Sequence, residues 1–89
     1  MRDVFQALAD PTRRAILDLL RERSRTSGEI ADVFSSSWPT ISRHLAVLRD
    51  AGLITAEREG QFIRYELNTT VFQDVMERVA SWLHTTGEG

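Results

Sequence analysis

The chain has no cysteine, so no disulfide framework, thiolate metal site or cysteine nucleophile can be built from it. Lysine is absent as well, and all 11 basic side chains are arginine. A biased coding composition accounts for that by itself, and the forked guanidinium is also the better match to phosphate and to guanine. Histidine is scarce, with only His44 and His84, which thins the supply of general bases and metal ligands. No uncharged run approaches the roughly 20 residues that cross a bilayer, so no membrane insertion is expected. The opening MRDVFQALAD sets Asp3 directly after Arg2 and has no extended apolar core, so it does not read as a secretory signal. A cytoplasmic location is the expectation. No Gly-rich phosphate loop, nucleophile elbow or His/carboxylate metal motif occurs, and a chain this short leaves little room for a catalytic cleft. Glu57 and Glu59 share a strand face but sit beside Arg58 and Arg64, which fits solvated charge better than acid–base work. Enzyme activity is not expected.

What is present is ordinary globular material: 89 residues, 42% hydrophobic and 27% charged. That supports one modest core and not two, and with no repeat or linker, residues 1–89 are expected to form a single domain. The net charge of −2 argues against a protein coated in positive charge. Its distribution is uneven. Arg13, Arg14, Arg21, Arg23 and Arg25 outnumber Asp18 and Glu22 in one segment, Arg43 and Arg49 stand unopposed in residues 37–49, and the other segments are acidic. Such segregation permits a local anionic partner.

Punctuation along the chain is short and specific. Val4, Phe5 and Leu8 recur at helical spacing before Asp10-Pro11, where Asp10 can cap a second helix that buries Ile16, Leu17, Leu19 and Leu20. Thr26 or Ser27 can cap a third helix with Ile30, Ala31 and Phe34 inward. Ser37 can cap a fourth, with Pro39 tolerated in its first turn and Gly52 ending it in the left-handed conformation. From Leu53 the period becomes alternating: LITAERE, a turn at Gly60, then QFIRYELN with Ile63, Tyr65 and Leu67 on one face, a predicted hairpin. A fifth helix then carries the apolar stripe Phe72, Val75, Met76, Val79, Trp82 and Leu83. The expected fold is mainly α with a β-hairpin wing, in the order α-α-α-α-β-β-α.

The third and fourth helices are joined by SSS, a spacing suited to a helix-turn-helix in which the first helix braces the second. On a helical wheel Ile41, Leu45 and Leu48 cluster within about 60° of one another, while Pro39, Ser42, Arg43 and Ala46 lie roughly 100–200° away from Ile41. The outward face is therefore small, polar and positive. Small residues let a helix axis settle into a major groove about 12 Å wide, and Arg43 can reach the O6 and N7 of a guanine. Ser37, Thr40 and the first-turn N–H groups are candidates for phosphate, as are Arg13 and Arg14. Arg58, Gln61 and Arg64 are candidate wing contacts, although Glu57, Glu59 and Glu66 alternate with them and fit a solvated hairpin nearly as well. His44 borders the core face, where a packed histidine is commoner than a ligand.

LADPTRRAILDLL, SWPTISRHLAVLRDAGLI and EGQFIRYELN resemble the ArsR-type family of winged helix-turn-helix bacterial repressors, and GQFIRYELNTTVFQD is similar to its SdpR-like members. The resemblance runs over residues 3 to 83 in the family's order. It implies a homodimer, paired through the first and last helices, that binds a double-stranded operator of two-fold symmetry and occludes a promoter, its own among the candidates. By position it places Trp38, Pro39, Thr40, Ser42 and Arg43 at operator contacts. Trp38 stands where relatives often carry a polar residue, so it either packs against bases or sugar or shields the turn. Ser36 replaces a usually aliphatic residue, which implies a looser turn.

The apolar stripe reads two ways, as monomer core or as a dimer interface with Val4, Phe5 and Leu8. Six large apolar residues on one terminal helix exceed what a small core needs, which favours the interface. Two reading helices about 34–36 Å apart would then meet successive major grooves, and the protein would be nucleoid-associated when bound. Many relatives release DNA on binding metal, but here EIADVF replaces the cysteine pair of the family's sensors, and the last helix lacks their His-containing pattern. No metal or other cofactor is expected. A second function class is a protein-interaction module with little DNA binding, because the resemblance implies that some SdpR-like relatives are sequestered by a membrane partner; a regulatory protein partner is expected on that reading.

Overall fold

The computed structural model describes residues 3–88, with side chains described as far as His84. Helix α1 (Val4–Leu8) is followed by α2 (Pro11–Glu22), strand β1 (Arg25–Thr26), α3 (Ser27–Val33), α4 (Trp38–Asp50), β2 (Ile54–Glu59), β3 (Phe62–Leu67) and α5 (Thr69–Glu88). The expected order holds with one addition: β1 pairs antiparallel with β3, so the wing is the outer part of a three-stranded sheet ordered β1-β3-β2.

Local chemistry starts and stops each helix. Asp10 caps α2 by accepting from the N–H groups of Thr12 at 2.8 Å and Arg13 at 3.0 Å, and Pro11 opens the first turn. Those donors, that of Arg13 foremost, hold the Asp10 carboxyl below its ordinary value of 3.8. Thr26 caps α3 through a reciprocal box with Glu29. At the end of α4, Gly52 adopts φ +81° while its N–H donates to Arg49 O and that of Leu53 donates to Leu48 O. This is the Schellman arrangement, with Leu48 and Leu53 both buried beneath it. The hairpin turns through Gly60 (φ +61°) and Gln61, with Glu59 opposite Phe62.

The core lies where α2 and α4 meet the sheet. Ile16, Leu17 and Leu20 from α2, Ile30 from α3, and Ile41, Leu45 and Leu48 from α4 are buried together with Leu53, Ile54 and Tyr65. Leu19 and Phe34, expected inside, are half-buried. Helix α1 has five residues, too few to persist alone. Its carbonyls are held from α2, with Arg13 Nε donating to Ala7 O at 2.7 Å and Arg14 NH1 to Leu8 O at 2.8 Å.

The apolar stripe divides. Val75 is buried, and Phe72, Val4 and Leu8 are half-buried against the core, so these four take part in the subunit's own packing. Val79 is half-buried. Phe5, Met76, Trp82 and Leu83 remain exposed, Leu83 to 70%. Phe5 and Trp82 pack ring against ring at 5.5 Å, which joins the two terminal helices into one apolar face.

Candidate nucleic-acid interface

Helix α4 sits with Ile41, Leu45 and Leu48 in the core, which fixes its rotation. Pro39, Ser42 and Arg43 are exposed on the far side, and Ala46 is half-buried. Among the described residues Arg43 has no hydrogen-bond or ion-pair partner. Its guanidinium is therefore free to meet an acceptor from outside. Ser37 occupies the cap position but does not cap: its hydroxyl shares a hydrogen bond with Thr40 Oγ1 at 3.1 Å, and no side chain satisfies the first turn. Trp38 is 45% exposed in that same turn. Of the six residues predicted on this helix, from Ser37 to Arg43, five are exposed and Thr40 is half-buried.

His44 faces inward at the edge of α4. Its Nδ1 accepts from Arg13 NH1 at 3.2 Å and lies 3.9 Å from Asp10 Oδ2. Arg13 also donates to Gln6 O at 3.1 Å. The Arg13 guanidinium thus makes its contacts inside the subunit, where it holds α1, α2 and α4 together. Arg14 is exposed, but it holds Leu8 O and lines a surface recess with Phe72 and Met76, beside the apolar face rather than the reading helix.

On the wing, Arg58 and Gln61 are exposed, and Arg58 has no partner among the described residues. Arg64 is different. It pairs in register with Thr26 and Glu57 rather than lying near the tip, and its Nε donates to Glu59 Oε2 at 2.9 Å while NH1 donates to Ser24 Oγ at 3.2 Å. Glu59 stabilises its charged form further. Arg64 braces the sheet through these two bonds. Sequence reasoning passed over Phe62, which is 58% exposed at the tip; the signal available was a large aromatic on the polar side of the alternation.

Among the described residues no three His, Asp or Glu side chains converge as a metal site, and no helix is long and apolar enough to cross a membrane. A core-anchored second helix with a free outer face, followed by a β-wing, defines a winged helix-turn-helix regulator. Residues 10–56 match the model of the bacterial regulatory protein, arsR family. The transcriptional repressor SdpR of Bacillus subtilis is 49% identical over 84 residues, covering 94% of this chain and 93% of that protein. The transcriptional repressor SmtB of Mycobacterium tuberculosis is 40% identical over 65 residues, 73% of this chain and 48% of SmtB, so this chain matches about half of that longer relative. A solved ArsR family transcriptional regulator superposes with TM-score 0.84 at 31% identity, covering 97% of this chain and 89% of that one, and HlyU from Vibrio cholerae superposes with TM-score 0.75 at 29% identity, covering 89% and 86%. This chain belongs to the ArsR family, and fold, family and relatives together make it a DNA-binding transcriptional repressor. They lend no support to a protein-interaction module in place of DNA binding.

Proposed function

We propose that the chain, acting as one domain over residues 1–89, represses transcription as a homodimer bound across a two-fold symmetric operator, where it occludes a promoter. One observation carries this reading: Arg43 projects, without a partner among the described residues, from a helix face whose neighbours are Pro39, Ser42 and Ala46. That face enters the major groove, Arg43 reads a base edge, and Ser37 and Thr40 in the uncapped first turn take phosphate, with Trp38 beside them. Arg58 and Gln61 on the wing extend the contact.

Dimerisation supplies the second reading helix. The exposed group of Phe5, Met76, Trp82 and Leu83 on the terminal helices is the surface that pairs. Location is cytoplasmic, with nucleoid association while bound. The test is in vitro selection of duplexes by the full chain, followed by titration of the selected duplex and a scrambled one across salt. Tighter binding to the selected duplex at every salt concentration is expected, and equal affinity for both defeats the claim of sequence-specific repression.

A further inference from the structure

His44 follows Arg43 on α4 but turns inward, to the junction of α1, α2 and α4, where its side chain is 16% exposed. A guanidinium has only donors, so the 3.2 Å contact from Arg13 NH1 requires an unprotonated Nδ1 and leaves the ring proton of the neutral imidazole on Nε2. The same Arg13 holds Ala7 O through Nε at 2.7 Å and Gln6 O through NH2 at 3.1 Å. One side chain therefore ties the reading helix to α1, and α1 carries Phe5 of the exposed apolar face.

A proton on Nδ1 changes this junction. It removes the lone pair that Arg13 uses and sets two cations 3.2 Å apart. The nearby anion, Asp10 Oδ2 at 3.9 Å, already accepts from the N–H groups of Thr12 and Arg13, so it follows the imidazolium only at the expense of the α2 cap. The surrounding elements offer no other counter-charge. Helix α1 has no ionisable side chain, and Asp3 before it accepts from the Phe5 N–H. On α2, Arg14 holds Leu8 O, while Asp18 and Glu22 face Arg21 and Arg25. Strand β2 also packs on α4, but its Glu57, Arg58 and Glu59 are exposed in the half nearer the hairpin turn. On α4 itself Arg43 is exposed, and Arg49 and Asp50 lie at the far end of the helix. Asp10 stays ionised at neutral and mildly acidic pH, because the Arg13 N–H holds its carboxyl below 3.8. The chain has no cysteine and one other histidine, His84, so imidazole is the side chain that gains a proton in that range.

We infer that His44 is a positioning residue that makes operator binding pH-dependent: neutral, it accepts from Arg13 and locks α4 to α1 and α2; protonated, it expels the guanidinium and loosens both contacts together. The inference rests on the repressor reading above. The lock is complete while Nδ1 is bare and is lost as the proton binds, so affinity falls on acidification.

The test titrates the full chain with the selected duplex from about pH 8 to about pH 5.5 at fixed ionic strength, beside His44→Asn, His44→Gln and His84→Asn. Asparagine sets an amide oxygen near the place of Nδ1, so it accepts from Arg13 and cannot become charged; glutamine sets its amide near Nε2 and leaves Arg13 without that acceptor. Across this range the wild type and His84→Asn should lose about threefold to tenfold in affinity beyond any change in His44→Asn, which should match the wild type at the alkaline end. His44→Gln should bind weakly throughout. In the wild type without DNA, the NMR signal of the Arg13 Nε–H should lose its protection from solvent exchange as the His44 ring titrates. Parallel pH profiles for the wild type and His44→Asn overturn the inference, as does an Arg13 signal that stays protected once the ring is protonated. Tighter binding by the wild type alone in acid overturns it in favour of a histidine that meets phosphate. Failure of the wild type to bind any duplex at the alkaline end removes the repressor reading instead, and the Arg13 signal then decides the lock by itself, as it does if His44→Asn does not fold.

Discussion

Replacing Arg13 by alanine separates two roles that a surface arginine can have. In the structure its Nε donates to Ala7 O at 2.7 Å, NH2 to Gln6 O at 3.1 Å and NH1 to His44 Nδ1 at 3.2 Å. Hydrogen bonds from a charged donor contribute about 1.5–3 kcal/mol singly. Three made by one half-buried side chain do not add, and a net loss of about 2–3 kcal/mol is expected. In a domain of this size that lowers the melting temperature by roughly 10–20 °C. Because α1 is a five-residue helix that cannot persist unaided, its release also removes Phe5 from the face it shares with Trp82. Urea and thermal unfolding at one fixed protein concentration measure the effect, since a dimer's stability depends on concentration. Arg13→Lys keeps the cation but loses the fork, so it should recover less than half of the stability. The reasoning is refuted if Arg13→Ala unfolds like the wild type while the salt slope of DNA binding falls by about 0.9, the signature of one lost phosphate contact.

Arg43→Ala should leave the melting temperature unchanged and erase about 1–3 kcal/mol of discrimination between the selected and scrambled duplexes, read by fluorescence anisotropy. Leu83→Asp, at a side chain 70% exposed, should shift sedimentation toward monomer and weaken operator binding, without unfolding the subunit; an unchanged dimer places the interface elsewhere. Acid unfolding should depend on Asp10. Its native carboxyl titrates below 3.8 because the backbone N–H of Arg13 donates to the charged form, with attraction from His44 and the N–H of Thr12 adding to it. The unfolded chain therefore takes up this proton first as pH falls. The stabilisation is complete well above pH 3.8 and is lost as pH drops through the lowered native value, so Asp10→Asn should flatten that part of the stability–pH curve.

Much of the architecture was readable because its causes are local. Asp10-Pro11 and Thr26 with Glu29 start helices through bonds spanning two or three residues, and Gly52 and Gly60 take the positive φ that end and turn positions require. The spacing of Ile41, Leu45 and Leu48 set which side of α4 is buried, and so which side Arg43 occupies. β1 was not readable. Arg25 and Thr26 have no period of their own, and they form a strand only because β3 offers them an open edge.

Charge was the least legible feature. Arg13, Arg43, Arg58 and Arg64 are alike in the sequence, and nothing in their neighbours states which of them is spent. The helical and strand periods by themselves determined the layered helices, the wing and the outward reading face, since those follow from contacts between residues a turn or a strand step apart. Only tertiary packing decided that Arg13 holds the end of α1, that Arg64 holds Glu59 and Ser24, that Val75 is buried while Leu83 stays exposed, and that Trp38 and Phe62 line one cleft. The physical reason is reach: a guanidinium or an aromatic ring takes its role from whatever the fold brings within a few ångströms of it, and those partners lie far away along the chain.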